Sequence, residues 1–421
     1  MSDWIMTGVH KLKTTGFFHI FGATVINKIL GFLSSFVIVR LIDKSAFGVY
    51  TYANNILSFL LLVSGLGMVS GVFQLCSEKI GNQREIEEIY AYGSKIGIGF
   101  NVLVSMVIFI ISKWYVLPIP AANHLLTLMA LTPLVNIVFE LQQIYLRVEL
   151  KNQQYSYAST INTTLLLICS VIGAALFQEK GLIFARYFAY VLSAFAAYKL
   201  FKAPIKLWGR KIADESRRAL YRISIISMFN NGLSQILYLL DIFILGLVQI
   251  NETSIASYKV ATVIPTALYF IPSAVCTYIY PHFAMNKDNK KWLVENYKKL
   301  SAIMALINAV MVACLEISAP IIVQVFFGKQ YMDAVTCFRI LVLGYFFNGT
   351  FRGIAGNLLV TQRRLKFNFI EGLISGVVNA IGNAMLIPKM GSLGAAYTTL
   401  SVMILSSILS TGYFIWVLKN K

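Results

Sequence analysis

Long apolar runs, each of roughly 20 residues or more and set apart by short polar connections, dominate this chain. Twelve can be read, at approximately 17–40, 47–75, 91–111, 121–146, 155–177, 181–201, 221–249, 255–283, 300–327, 332–361, 366–388 and 393–418. A bilayer core takes roughly 20 apolar residues per helix. Inside it every backbone amide must be satisfied within its own segment, which favours helices. The two-residue alternation of barrel strands is absent. The pattern therefore predicts an all-α integral membrane protein with twelve transmembrane helices. The first run follows His10, Lys11 and Lys13, is long for a signal core and lacks a small-residue cleavage site, so it reads as a retained span.

Composition agrees with lipid as the solvent. The chain is 57% hydrophobic and 13% charged, against about 25% charged in an ordinary soluble domain. A net charge of +18 raises the question of nucleic acid, and its distribution answers against it. With the N-terminus taken as inside, twenty-four Lys and Arg fall in the inner connections and six in the outer ones. That asymmetry over an even number of spans places both termini in the cytoplasm; the basic loops also suit anionic headgroups. Cys76, Cys169, Cys276, Cys314 and Cys337 lie in or beside apolar runs with no CxxC pair, and read as small buried hydrophobes.

The longest connection, "KLFKAPIKLWGRKIADESRRALYR" (Lys199 to Arg222), carries eight basic residues between the sixth and seventh runs. It divides the chain into a first lobe (1–200), a basic cytoplasmic linker (201–220) and a second lobe (221–421). "FGVYTYANNI" (Phe47 to Ile56) lies over "IASYKVATVI" (Ile255 to Ile264) at an offset of 208, and "GLIFARY" over "GSLGAAY" at 210. Similar offsets indicate a duplication. Six spans per copy make it a parallel repeat, an arrangement found in transporters that rock around a central cavity.

Ten ionisable groups sit inside the runs: Lys28, Lys95, Arg186, Lys259, Arg339, Arg352, Glu140, Asp241, Glu316 and Glu371. Each costs about 2.5–3.5 kcal/mol at a helix centre on insertion scales, so such groups mark cavities, pathways or pairs between helices. Lys95, Arg186 and Arg339 lie close enough to run ends to snorkel. Glu140 and Glu371 have Arg147 and Lys366 within reach along the chain. Helical spacing organises the deeper groups. Ser227, Asn231, Ser234, Tyr238 and Asp241 recur at intervals of four and three, as do Thr24, Lys28, Gly31 and Ser35, with Asn27 alongside. Two such stripes, on the opening helices of both lobes, read as cavity walls, the alternative being a wet helix–helix seam. Pro265, Pro272 and Pro281 predict a bent eighth span.

No catalytic constellation, phosphate-binding GxxxxGK[ST] loop or clustered metal ligands is present in the sequence. Neither an enzyme nor a resident cofactor is expected. Several local patterns instead resemble the polysaccharide-transport branch of the multidrug/oligosaccharidyl-lipid/polysaccharide (MOP) exporter superfamily, and within it the O-antigen flippases of the Wzx type. They are "RLIDKSAFGVY" (Arg40 to Tyr50), "LLDIFILG" (Leu239 to Gly246), "IPSAVCTYIYPHFA" (Ile271 to Ala284), "FFGKQYMDAVTCFRIL" (Phe326 to Leu341) and "IPKMGSLGAAYTTL" (Ile387 to Leu400). The resemblance implies a MATE-like 6+6 bundle in the bacterial inner membrane. Its implied task is to move an undecaprenyl-diphosphate-linked oligosaccharide to the periplasmic leaflet, ahead of a polymerase and a ligase. On that reading Lys28, Arg40, Lys259 and Arg352 are the candidates for the diphosphate or acidic sugars. Asp241, with Glu140 and Glu316, is the candidate for coupling or charge pairing. Thr24, Asn27, Ser35, Asn231, Ser234 and Tyr238 line the polar cavity. A proton- or sodium-coupled small-molecule exporter and a non-transporting scaffold for glycan assembly are the rival readings.

Overall fold

Backbone amides in hydrocarbon have no water to turn to, and this chain satisfies them within helices. A computed structural model describes residues 17–209, 211–249 and 251–420, and the regular elements among them are all helical. We number the helices α1 (Phe17–Leu41), α2 (Lys44–Leu61), α3 (Met68–Glu78), α4 (Gln83–Trp114), α5 (Pro120–Leu128), α6 (Thr132–Val148), α7 (Asn152–Phe201) and α8 (Asp214–Gln249). They continue as α9 (Glu252–Leu268), α10 (Phe270–Met285), α11 (Lys290–Ile322), α12 (Ala334–Phe347), α13 (Gly353–Thr361), α14 (Leu365–Met390) and α15 (Ser392–Lys419).

Among the described residues, eight helices are long and apolar enough to cross a bilayer, and ten if the bent pairs α2–α3 and α5–α6 each make one span. The count differs from the twelve runs for identifiable reasons. One element, α7, holds two runs. Its backbone leaves helical geometry at Phe177 and Gln178 and then doubles back. Gly173 and Gly181 meet there so closely that a Cβ on Gly173 would stand 2.4 Å from the Gly181 carbonyl oxygen. In α8 the described stretch Tyr238–Val248 is apolar, and the side chains at 233, 234, 237 and 249 beside it lie outside the described residues. The bend between α2 and α3 runs through Gly65 and Gly67 at positive φ. Buried Asn101 supports it, accepting from the Gly65 amide and donating to the Pro133 carbonyl at 2.7 Å. One residue, Tyr269, interrupts the eighth run between α9 and α10, with Pro265 inside α9, and Glu252–Met285 still counts as one span of 34 residues.

The chain forms two units. One comprises Met1–Ala46 and Ala53–Gln235, the other Phe47–Tyr52 and Ile236–Lys421. In the first, α7 packs against α1 and α6, while α4 packs against α3 and α6 around Met68, Val72, Ile89 and Tyr90. In the second, α15 packs against α12 and α14, and α9 against α12. The short segment Phe47–Tyr52 is locked in by two glycines: Gly48 sits under the Glu252 carbonyl and Gly246 under the Tyr52 ring, with no room for a Cβ at either. Two turns of wider π-helix interrupt this unit, at Val323–Phe327 and Asn348–Arg352; such turns recur at functional sites.

Candidate functional site: polar faces and buried charges within the spans

Helix α1 is open on two opposite faces. Ile26, Ile29, Leu33 and Val37 form an exposed apolar face suited to lipid. Thr24, Lys28 and Gly31 form an exposed polar one on the far side, with Ser35 half-buried below them. Thr24 and Ser35 return their hydroxyl protons to Ile20 and Gly31 carbonyls of their own helix. Lys28 has no ion pair or hydrogen bond among the described residues. Asn27 sits on the flank and donates to Ser159 Oγ at 2.9 Å, fastening α1 to α7. Arg40 is exposed at the end of α1. In α8, Asn231 and Tyr238 are exposed as the stripe predicts, while the Ser234 side chain lies outside the described residues.

Asp241 is buried, and four neutral donors surround its carboxylate. Asn379 Nδ2 (3.0 Å) and Asn383 Nδ2 (2.7 Å) donate to Oδ1, while Tyr258 OH (2.6 Å) and Thr399 Oγ1 (2.7 Å) donate to Oδ2. An ionised carboxylate has about four lone-pair sites, and all are filled. The sequence allowed a basic partner for Asp241 on another helix; what holds it instead is a cage of amides and hydroxyls. Next to it, Asn383 Oδ1 is buried without a hydrogen-bond partner. A small cation here would have to displace a donor from Asp241; the oxygens of Asn383 and Thr399 stand beside it.

A second network lies lower on α14. Arg352 donates from Nε to Glu371 Oε1 (3.1 Å) and from Nη2 to Oε2 (3.3 Å), and Ser375 Oγ donates to Oε1 at 3.0 Å. Glu371 thus pairs across helices with Arg352, not with its chain neighbour Lys366. Glu371, Ser375, Asn379 and Asn383 are all buried and recur every four residues, so one face of α14 carries both networks. That four-residue ladder was readable in the sequence, but only Glu371 was singled out, because the other three carry no charge. Tyr258 and Thr399 had no such signal.

Lys259 is exposed on α9 and makes no ion pair among the described residues. Thr262, Thr266, Ser273 and Thr277 continue a polar face from it along α9 and α10. Glu316 pairs with Arg339, at 3.7 Å, in a partly open position. Glu140 is half-buried on α6 with no ion pair among the described residues; Arg147, the partner its position suggested, lies 3.9 Å over the Phe73 ring. The structure thus brings Asp241 together with neutral groups, Arg352 with Glu371 and Glu316 with Arg339, and leaves Lys28, Lys259 and Glu140 without such partners.

Comparisons with known proteins fit this architecture. Residues 37–336 match the family described as "Polysaccharide biosynthesis protein". The chain is 24% identical over 414 residues to the lipopolysaccharide biosynthesis protein WzxC of Escherichia coli K12, covering 94% of this chain and 79% of that one. It is 23% identical over 381 residues to an uncharacterized membrane protein in the cps region of Klebsiella pneumoniae, covering 86% and 74%. Among solved structures, the lipid II flippase MurJ in an inward closed conformation superposes with a TM-score of 0.74 at 14% identity, covering 95% of this chain and 87% of that one. An inward-facing MATE-family multidrug transporter gives 0.67 at 15% identity, covering 94% and 95%. The fold is that of the MOP superfamily, and the family match spans well over half of the sequence: the chain belongs to the polysaccharide biosynthesis protein family.

Proposed function

We propose that this protein is a flippase of the bacterial inner membrane, carrying a polyprenyl-diphosphate-linked glycan from the cytoplasmic to the periplasmic leaflet by alternating access. The observation that carries the reading is that two lysines within spans, Lys28 and Lys259, are exposed, each on a polar helix face and with no ion pair among the described residues. Lipid offers an ammonium group nothing, whereas a diphosphate offers it charge-assisted hydrogen bonds. The similarity to proteins named for lipopolysaccharide biosynthesis and lipid II flipping supports the same class of passenger. The excess of basic residues in alternate connections supports cytoplasmic termini.

Energy enters, on this reading, at Asp241. A cation drawn by an ion gradient would neutralise that charge and give the orphaned Asn383 oxygen a partner. The chain's part is to hold the carboxylate among neutral groups; the ion's part is to change the charge of the site.

The test is reconstitution in vesicles with an undecaprenyl-diphosphate oligosaccharide and a leaflet-specific readout. Wild type should equilibrate the lipid between leaflets. The Lys28→Ala, Lys259→Ala variant, at equal protein level, should do so about 100-fold more slowly, since each lost charge-assisted contact costs roughly 1.5–3 kcal/mol. Equal rates for the two, or efflux of organic cations in place of lipid movement, would overturn the assignment.

A further inference from the structure

Lysines facing a diphosphate leave the sugars without contacts, and one cluster in the second unit has the chemistry to supply them. We propose that Tyr238, Tyr269, Asn348 and the Arg352–Glu371 pair form a glycan subsite that reads an uncharged sugar of the passenger, separate from the lysine that takes its diphosphate. The inference rests on the flippase reading and says which residues recognise which part of the cargo.

Arg352 is the least obvious member. Its guanidinium is bound side-on by Glu371, and Glu371 is only 4% exposed and further fixed by Ser375. The pair is close to neutral as a unit, so it has little net charge to offer a diphosphate. Two of the five guanidinium N–H groups are used, which leaves three as donors. The side chain is 31% open. Donors without net charge suit sugar hydroxyls and N-acetyl carbonyls, and the Glu371 carboxylate disfavours an acidic sugar.

The aromatic members lie near the same turn. Tyr238 is 60% exposed and lies within electrostatic reach of both Tyr269 and Arg352. Tyr269 is held from two directions, by Asn348 Nδ2 donating to its hydroxyl at 2.8 Å and by the edge of Tyr345 at 5.4 Å. A fixed aromatic face beside fixed donors is how a largely apolar pocket orients a polar ligand. Both Asn348 and Arg352 belong to the π-helical turn Asn348–Arg352, so the widened turn contributes two members of the cluster at once.

Spacing separates this subsite from the diphosphate end. Tyr269 follows Lys259 by ten residues in the same broken span, about 15 Å at the helical rise. Threonines line the polar face between them. A distance of several sugar rings is what an oligosaccharide would need to reach both.

The experiment measures binding to the full chain in nanodiscs with three probes. These are undecaprenyl diphosphate alone, the same lipid carrying a neutral N-acetylhexosamine tetrasaccharide, and that tetrasaccharide ending in a uronic acid. Wild type should bind the neutral glycolipid about tenfold more tightly than the bare diphosphate, the size of one or two good hydrogen bonds, and gain less from the acidic one. Tyr238→Ala should erase the glycan increment while leaving bare undecaprenyl diphosphate binding unchanged; Lys259→Ala should weaken all three probes by the same factor. A glycan increment that survives Tyr238→Ala, or that is absent from wild type, sinks the subsite alone. No binding of bare undecaprenyl diphosphate by wild type sinks the flippase reading beneath it. Since Tyr238 is exposed, its truncation leaves the fold intact, and a merely structural role would not separate the probes.

Discussion

The two units carry their charges within the spans in opposite ways. In the first, Lys28, Lys95 and Glu140 have no ion pair among the described residues. In the second, Asp241 has four donors, Arg352 has Glu371 and Arg339 has Glu316, leaving Lys259 the exception. A loose charge in a span is sustained by water or by a ligand. A caged one is sustained by its neighbours, and moves only when they move or when a second ion arrives. The first unit therefore has the character of a binding surface, the second that of a binding surface joined to a switch. Because α14 carries two of the four donors to Asp241 and the partner of Arg352 on one buried face, ion binding and glycan binding should be linked in the second unit, and linkage is reciprocal.

Asp241→Asn is the variant that should break this contrast most sharply. It removes the caged charge while keeping the shape, so transport should lose its dependence on the ion gradient and fall by about tenfold or more, the worth of one ionic contact. Asp241→Glu should retain part of it. Transport measured with and without an imposed gradient decides, and unchanged gradient dependence in the Asn variant would end the coupling role.

Glu371→Gln comes next. It strands Arg352, and a broken buried pair costs about 3–5 kcal/mol. Arg352 is open enough to recover some solvation, so a loss of about 1–2 kcal/mol is expected, less than for a sealed pair. The melting temperature in detergent reports it, and the Arg352→Met, Glu371→Leu double variant should recover most of the loss. The smallest effect belongs to Glu140→Gln. With no ion pair to break, stability and transport should stay within about twofold of wild type, the range of substitutions away from organised contacts. A tenfold loss there would mean that the first unit holds a caged charge after all.

How much of this was legible beforehand follows from how burial works in lipid. Apolar runs must be long, so the spans announced themselves. Charges must be scarce, so Lys28, Asp241, Lys259 and Arg352 stood out against their neighbours. Partners were harder. Charge attracts attention along the sequence, yet the groups that hold Asp241 are a tyrosine, a threonine and two asparagines from three other helices, and nothing local marks Tyr258 or Thr399. Glu371 and Arg352 lie 19 residues apart and meet only because α13 and α14 reverse direction. The reversal at Phe177 and Gln178 falls where the sequence divides its fifth run from its sixth.

The central claim is that Lys28 and Lys259 each face water and are each able to take a diphosphate. Labelling with a membrane-impermeant amine reagent, read residue by residue by mass spectrometry, tests it most directly in vesicles with and without added lipid. Lys28 and Lys259 should both be modified, and undecaprenyl diphosphate, but not undecaprenol, should protect them. Two lysines that the reagent never reaches, or that undecaprenol shields as well as its diphosphate does, would place these side chains against lipid and contradict the account.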